Sequence, residues 1–254
     1  MLLRSITKHV KEQNWFAVFL DFLIVVVGIL IAFQITNWNE ARALDKLEKE
    51  LLIELRHEIV ADIRKAEILV DHFNNVHAVG KRAIAFMDSD RDCGDACWPV
   101  LVDFYHASHW FSVAIKRSVF DEMRRQGLPQ TREVVALVET YHAHNSVTAR
   151  ILADLPDYRK VVRSLMPVAV HEAYWTSCWR FLEGVEIINY DACPSALSNE
   201  IASQVVASIV EHPDVRPTLT FWFSEVTPTA GELEIQNAAA MRAIAAINKE
   251  LEKH

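Results

Sequence analysis

Eleven histidines and four cysteines are the side chains of this 254-residue chain best suited to hold a metal or move protons. Glu54-x-x-His57 and Glu139-x-x-His142 have the i, i+3 spacing by which helical bundles ligate a di-iron centre, and Asp103-x-x-His106 nearly does. The phase of the flanking apolar residues argues against that use. Leu51, Leu55 and Ile59 define one stripe, and at about 100° per residue His57 points nearly opposite to it. Glu139 likewise sits away from the stripe of Val134, Leu137, Val138 and Tyr141. His106, His109, His142 and His144 remain as a cluster that could converge between adjacent helices on a metal, with incidental surface histidines as the plainer expectation. His171-Glu172-Ala173 lacks the second His of a zincin, and G-x-S-x-G, P-loop and G-x-G-x-x-G patterns are absent. No catalytic residue, cofactor or metal is expected, and the chain reads as a non-enzyme.

The cysteines suggest cross-links rather than a metal site. Their spacings are C-x3-C and C-x14-C, not the paired C-x2-C of zinc modules. Four cysteines allow three pairings. Cys93–Cys97 would close the Gly-Asp-Ala turn, and Cys178–Cys193 would close the loop after Trp179; each pair is close in sequence and flanks a loop. Closing the second loop contributes about 3 kcal/mol in the chain-entropy account. Both bonds presuppose an oxidising compartment.

The elements that must position these groups begin with an apolar run. Residues 15–36 read WFAVFLDFLIVVVGILIAFQIT, with Asp21 as the single ionisable side chain. About 22 residues at 1.5 Å each span roughly 33 Å, enough for a hydrocarbon core of about 30 Å. The run is too long for a secretory signal, so a retained transmembrane helix is predicted. Arg4, Lys8 and Lys11 precede it against Glu12 alone, while Arg42, Lys46 and Lys49 follow among four acids, which favours a cytoplasmic N-terminus. Within residues 1–14, Leu3, Ile6 and Val10 oppose the basic residues, the pattern of a short amphipathic or basic segment at the cytoplasmic surface, with Trp15 at headgroup depth. Asp21 is expected to snorkel, to be protonated or to meet a partner helix, and Gln34 could bond across a helix pair.

Asn37-Trp38-Asn39-Glu40 reads as a junction, Trp38 at the outer interface and either Asn capping the next helix. From Leu44 to Phe73 apolar residues recur at three- and four-residue spacing, predicting an amphipathic helix of about 45 residues ending near Gly80. Further helices are expected over 99–126 with Gly127 as a left-handed cap, 131–155, a segment through Trp179, 198–211, 217–226 and 231–253, with a loop around Gly184–Ser195. Thr218–Phe223 could be a strand but has no partner run. The aromatic groups around Trp98–Phe111, Trp175–Phe181 and Phe221–Phe223 read as core more readily than as a pocket lining. The whole is all-α: one N-terminal transmembrane helix (15–36), then an elongated helical bundle (37–254) on the periplasmic side.

Composition agrees. With 51% hydrophobic residues, six Gly and eight Pro, the chain is ordered, and its net charge of −8 makes it a poor match for nucleic acid.

The stretch LDFLIVVVGILIAFQITNWNEAR, Leu20 to Arg42, closely resembles the opening of a bacterial family of membrane-anchored proteins known only as a domain of unknown function, whose signature is an apolar helix running into N-W-N-E. Phe120-Asp121-Glu122-Met123, Gly127-Leu128 and the helix from Arg132 to Tyr141 are similar to that family's F-E-E-L…G-L turn and its following helix. Asp21 sits where the family tends to place an acidic residue. The resemblance implies a single-pass bacterial inner-membrane protein with a helical outer domain, and brings no activity or catalytic residues. The expected function is therefore to bind a membrane or periplasmic protein partner, or a second copy, in support of an envelope complex, with membrane lipid around the anchor. The alternative is a ligand-sensing module, which would need a concave apolar pocket with convergent polar groups, and a metal-dependent or hydrolytic enzyme stands third.

Overall fold

The computed structural model describes residues 15–253 apart from 90, 114, 115, 183, 184, 191, 192 and 196. The amphipathic segment expected over 1–14 lies outside the described residues. The fold is all-α, 79% helical. In chain order the helices are α1 (Trp15–Met87), α2 (Cys97–Ala107), α3 (Ser118–Arg125), α4 (Arg132–Ile151), α5 (Asp157–Ser164), α6 (Val168–Ser177), α7 (Asn199–Glu211) and α8 (Val215–Leu251). Strands β1 (Trp179–Leu182) and β2 (Val185–Ile188) lie between α6 and α7.

No new helix begins and no cap forms at the junction expected over 37–40. α1 is one helix of 73 residues that runs through Asn37, Trp38, Asn39 and Glu40, and continues past Gly80 to Met87. No proline interrupts the segment, and Asn within a helix costs only a fraction of a kcal/mol. With the preceding turn already helical, no orphan N–H group remains for Asn37 or Asn39 to cap. Trp38 is exposed, and the Arg42 guanidinium one turn later lies 4.2 Å over its ring. Gly80 lies inside the helix and gives α8 room: a Cβ there would meet the Phe223 ring at 2.7 Å.

Along α1 the surroundings change twice. The helix over Phe19–Met87 is long and apolar enough to cross a membrane, and its most apolar eighteen-residue window is wholly unburied, unlike the core helix of a soluble protein. Leu52, Leu55 and Ile59 then enter a lower core with Phe120 and Met123 of α3, Val134, Val138 and Tyr141 of α4, and Ala239 to Ile247 of α8. Ala66 to Ala83 enter an upper core with α2, α5, α6, α7 and the first half of α8. α8 packs along both levels and is the principal partner of α1. The long amphipathic helix thus buries its stripe against its own chain. His57 is exposed, as the phase of that stripe predicts.

Polar contacts fix the register. Glu48, only 2% exposed, accepts from the Gln130 N–H at 2.9 Å. Arg82 on α1 grips Asp103 on α2 with two bonds, 2.8 and 2.5 Å.

Three further expectations are corrected. The helix over 99–126 is two, because Ser108 leaves the helix: its Oγ donates to the Tyr105 carbonyl at 2.6 Å, while its own carbonyl accepts from Arg159 at 3.0 Å. Gly127, at φ 75°, is nevertheless the left-handed residue after α3. The helices over 217–226 and 231–253 are one. Pro217 sits in the first turn of α8, where no N–H is needed. Pro228 removes one interior bond, and the flanking Thr227 and Thr229 hydroxyls donate to the Phe223 and Glu225 carbonyls at 2.7 and 2.6 Å. Finally, the loop after Trp179 contains an antiparallel hairpin, Trp179 opposite Ile188 and Leu182 opposite Val185. Its β-branched and aromatic composition was the available signal.

Replacing Ile59, fully buried in the lower core, with Ala is expected to cost about 2–5 kcal/mol. His57→Ala should stay within about 0.5 kcal/mol. Denaturant unfolding of the full chain, followed by tryptophan fluorescence, measures both.

Candidate functional site

The histidine cluster divides. His106 and His109, at the C-terminal end of α2, have ring centroids 5.9 Å apart. His142 lies in the lower core against Phe120 (5.5 Å) and Tyr141 (4.9 Å), where burial, reinforced by Arg117, lowers its pKa to about 4. His144 is two residues further along α4, about 200° around it, and is half-buried. These four do not share a site, and three of them are buried rather than incidental surface groups. Among the described residues, no group of three or more His, Cys, Asp or Glu is placed to hold a metal ion.

His106 and His109 instead join residues that the sequence did not single out. The Tyr174 hydroxyl of α6 lies 2.7 Å from His106 Nδ1 and 2.6 Å from His109 Nε2. A hydrogen bond to the Asn189 backbone holds the His106 ring. An imidazole N–H donating to that carbonyl from Nε2 leaves Nδ1 as the acceptor for the Tyr174 O–H. His109 Nε2–H then donates to the Tyr174 oxygen, and one direction runs through the chain of bonds. Tyr190, just after β2, places its hydroxyl 2.7 Å from His72 Nδ1 on α1, and its ring lies 4.7 Å from that of His106. Tyr105 stacks on Tyr174 at 3.6 Å. Arg163 of α5 covers the other face of this assembly, its guanidinium 4.2 Å over Tyr105 and its Nε donating to Ser108 Oγ at 2.8 Å.

Burial dominates the electrostatics. It lowers His72 and His106 to about 3 and His109 well below its ordinary value, with cationic Arg82 and Arg163 adding to the effect on His106, and Arg163 on His109. It pushes the Tyr174 hydroxyl up and brings Arg163 down to about 10. All three imidazoles are therefore neutral at physiological pH, and the assembly is a fixed hydrogen-bonding frame.

Two members of this frame, His72 and Tyr190, also line a cavity of about 630 Å³ between α1 and the hairpin. Ile68 and Leu69 of α1, Phe111, and Ile187 and Ile188 of β2 make it mostly apolar; besides His72 and Tyr190 its polar lining is Lys65, Asp71, Asn75 and Ser112. Phe111, expected as core, lines this space, whereas Trp98, Phe104 and Trp222 are core as expected. The volume is that of a small-molecule site. His72 was detectable as a polar residue on the apolar stripe between Leu69 and Val76. The hairpin that closes the cavity left only its β-branched and aromatic composition as a signal.

The cysteines lie in the expected pairs, at disulfide distance. Cys93 and Cys97, and Cys178 and Cys193, each have Cα atoms 4.8 Å apart. The second pair ties the base of the hairpin, and Cys193 Sγ lies 3.7 Å from His106 Nε2. Asp21 and Gln34 both stand exposed on the apolar part of α1. Thirteen residues apart, they lie about 140° from one another around the helix and make no common stripe.

The unfolded chain protonates these histidines below about pH 6.5, whereas folded His72 and His106 resist to about 3. Their contribution to stability is complete above pH 6.5 and is lost as pH falls from there toward 3. His109→Gln is expected to reduce the proton uptake that accompanies unfolding at pH 4.5–5.5 by about one proton, read from the slope of unfolding free energy against pH.

Comparison of the chain with protein-family models, with curated proteins and with solved structures finds no match.

Proposed function

We propose that this chain is a membrane-anchored binding module whose cavity between α1 and the hairpin takes a small, mostly apolar ligand. The observation that carries the reading is the continuity of α1: the unbroken helix that supplies the apolar span also supplies the cavity wall from Lys65 to Asn75. A ligand seated there would bear on the anchor itself, as a sensory module requires. The basic flank before the span favours a cytoplasmic N-terminus. Two cysteine pairs at disulfide distance suit a bundle on the oxidising, periplasmic side of a bacterial inner membrane. The resemblance of residues 20–42 to a family of membrane-anchored proteins points the same way. A second reading, a protein partner or second copy within the bilayer, is favoured by Asp21 and Gln34, polar side chains exposed on the span.

The ligand reading is tested with the full chain in lipid nanodiscs, its isoleucine methyl groups isotopically labelled, titrated with anisole. The expected result is saturable shifts of the Ile68, Ile187 and Ile188 methyls and none at Ile59, with all three abolished in Leu69→Trp. Unmoved cavity methyls would overturn it.

A further inference from the structure

A second, smaller cavity of about 250 Å³ adjoins the first, sharing Lys65, Leu69 and Ser112 with it. Its inner wall holds two side chains left incompletely bonded. Asn145 of α4 and Gln236 of α8 are 2% and 3% exposed, and the oxygens Asn145 Oδ1 and Gln236 Oε1 have no hydrogen-bond partner among the described residues. The orientation of Asn145 is set by its neighbours. Its amide bonds the Tyr141 hydroxyl, which donates to Asp62 Oδ2 at 2.9 Å, so the amide N–H is used and the oxygen is left without a partner in the wall of this cavity. Leaving a buried acceptor unsatisfied costs about 1–3 kcal/mol. Two such oxygens beside one cavity favour an occupant that donates.

Charge restricts that occupant. Lys65 and Lys116 also line this space and disfavour a cation. Asp62 together with the two carbonyl oxygens disfavours an anion. A neutral group bearing N–H or O–H donors meets neither objection, and the lysines and Ser112 can donate to its own oxygen. The adjoining cavity offers Ile68, Phe111, Ile187 and Ile188 to an apolar body.

Building on the ligand-binding role assigned above, we propose that the ligand is a small neutral amphiphile, its apolar part against the hairpin and its N–H or O–H donating head on Asn145 Oδ1 and Gln236 Oε1. Matched probes test this with the same methyl-labelled full chain, to which leucine methyl labels are added. Hexanamide has the donors; N,N-dimethylhexanamide keeps the chain and carbonyl but lacks them; hexanoate and hexylammonium carry charge. Hexanamide is expected to bind about tenfold more tightly than the other three. It should also shift the methyls of Leu233, which lines the inner cavity, in the wild-type protein, while anisole does not. Gln236→Met and, independently, Asn145→Ser should reduce the preference for hexanamide over the dimethyl amide to less than about threefold, with anisole binding kept. Equal binding of the two amides, an unmoved Leu233, tighter binding of either charged probe, or a preference that survives both substitutions would overturn the head-group assignment while leaving the apolar site standing. Failure of every probe, anisole included, would remove both.

Discussion

The backbone hydrogen bonding of α1 is the constraint on which the rest of the structure depends. A chain crossing hydrocarbon must satisfy every peptide group internally, and a helix does so without help. Once begun, that helix has no reason to stop at the interface. Neither proline nor a left-handed glycine occurs between Thr36 and Met87, and each further residue adds a bond for the dihedrals it fixes. Continuing as far as Met87, α1 emerges from its apolar stretch as a scaffold whose face is chosen by the spacing of Leu52, Leu55, Ile59, Ala66 and Phe73. Two cores stack on that one rod, and α8, itself uninterrupted by Pro228, runs beside it to close both.

The two cores differ in kind. The lower is mostly aliphatic and small-residue packing, Leu and Ile of α1 against the alanines of α8, with Phe120, Tyr141 and a single imidazole, His142, buried in it. The upper encloses the neutral imidazoles of His72, His106 and His109, four tyrosines (Tyr105, Tyr158, Tyr174 and Tyr190), and Arg163, which has no carboxylate partner among the described residues. Such groups are tolerable in a low-dielectric interior only when they bond one another, and Tyr174 does most of that by standing between His106 and His109. The requirement is geometric, so α2, α5, α6 and the hairpin must meet in one arrangement. The cavity is a consequence: the hairpin is held over α1 by the Cys178–Cys193 pairing and by Tyr190 on His72, with a gap where the side chains of α1 turn apolar.

Much of this was legible in the residues. The apolar run, the stripe of the following helix, the left-handed Gly127, the helix over 198–211 and both cysteine pairs could be read because each depends on local spacing or on a single residue's backbone preference. The exposure of His57 followed from the angle it makes with its neighbours. What failed were boundaries and convergence. Asn37, Gly80 and Pro228 look like punctuation, yet each is overridden by packing or by the helix already formed on either side. The division of His106 and His109 from His142 and His144 depends on which helices meet, information that sequence periodicity does not contain. Tyr174 and Tyr190 looked like ordinary aromatic residues until the fold set their hydroxyls against imidazoles. The hairpin escaped notice because two four-residue strands are shorter than the window over which alternation is persuasive.

A distance across the end of the apolar stretch of α1 tests the account most directly. Spin labels at Phe33 and His57, both exposed, bracket the Asn37–Glu40 stretch in the full chain in nanodiscs. Twenty-four residues of unbroken helix place the two backbone positions about 36 Å apart with a narrow distribution. A broad or markedly shorter distribution would mean a joint at the membrane surface, and with it a bundle that cannot pass a ligand's effect to its anchor through one rigid helix.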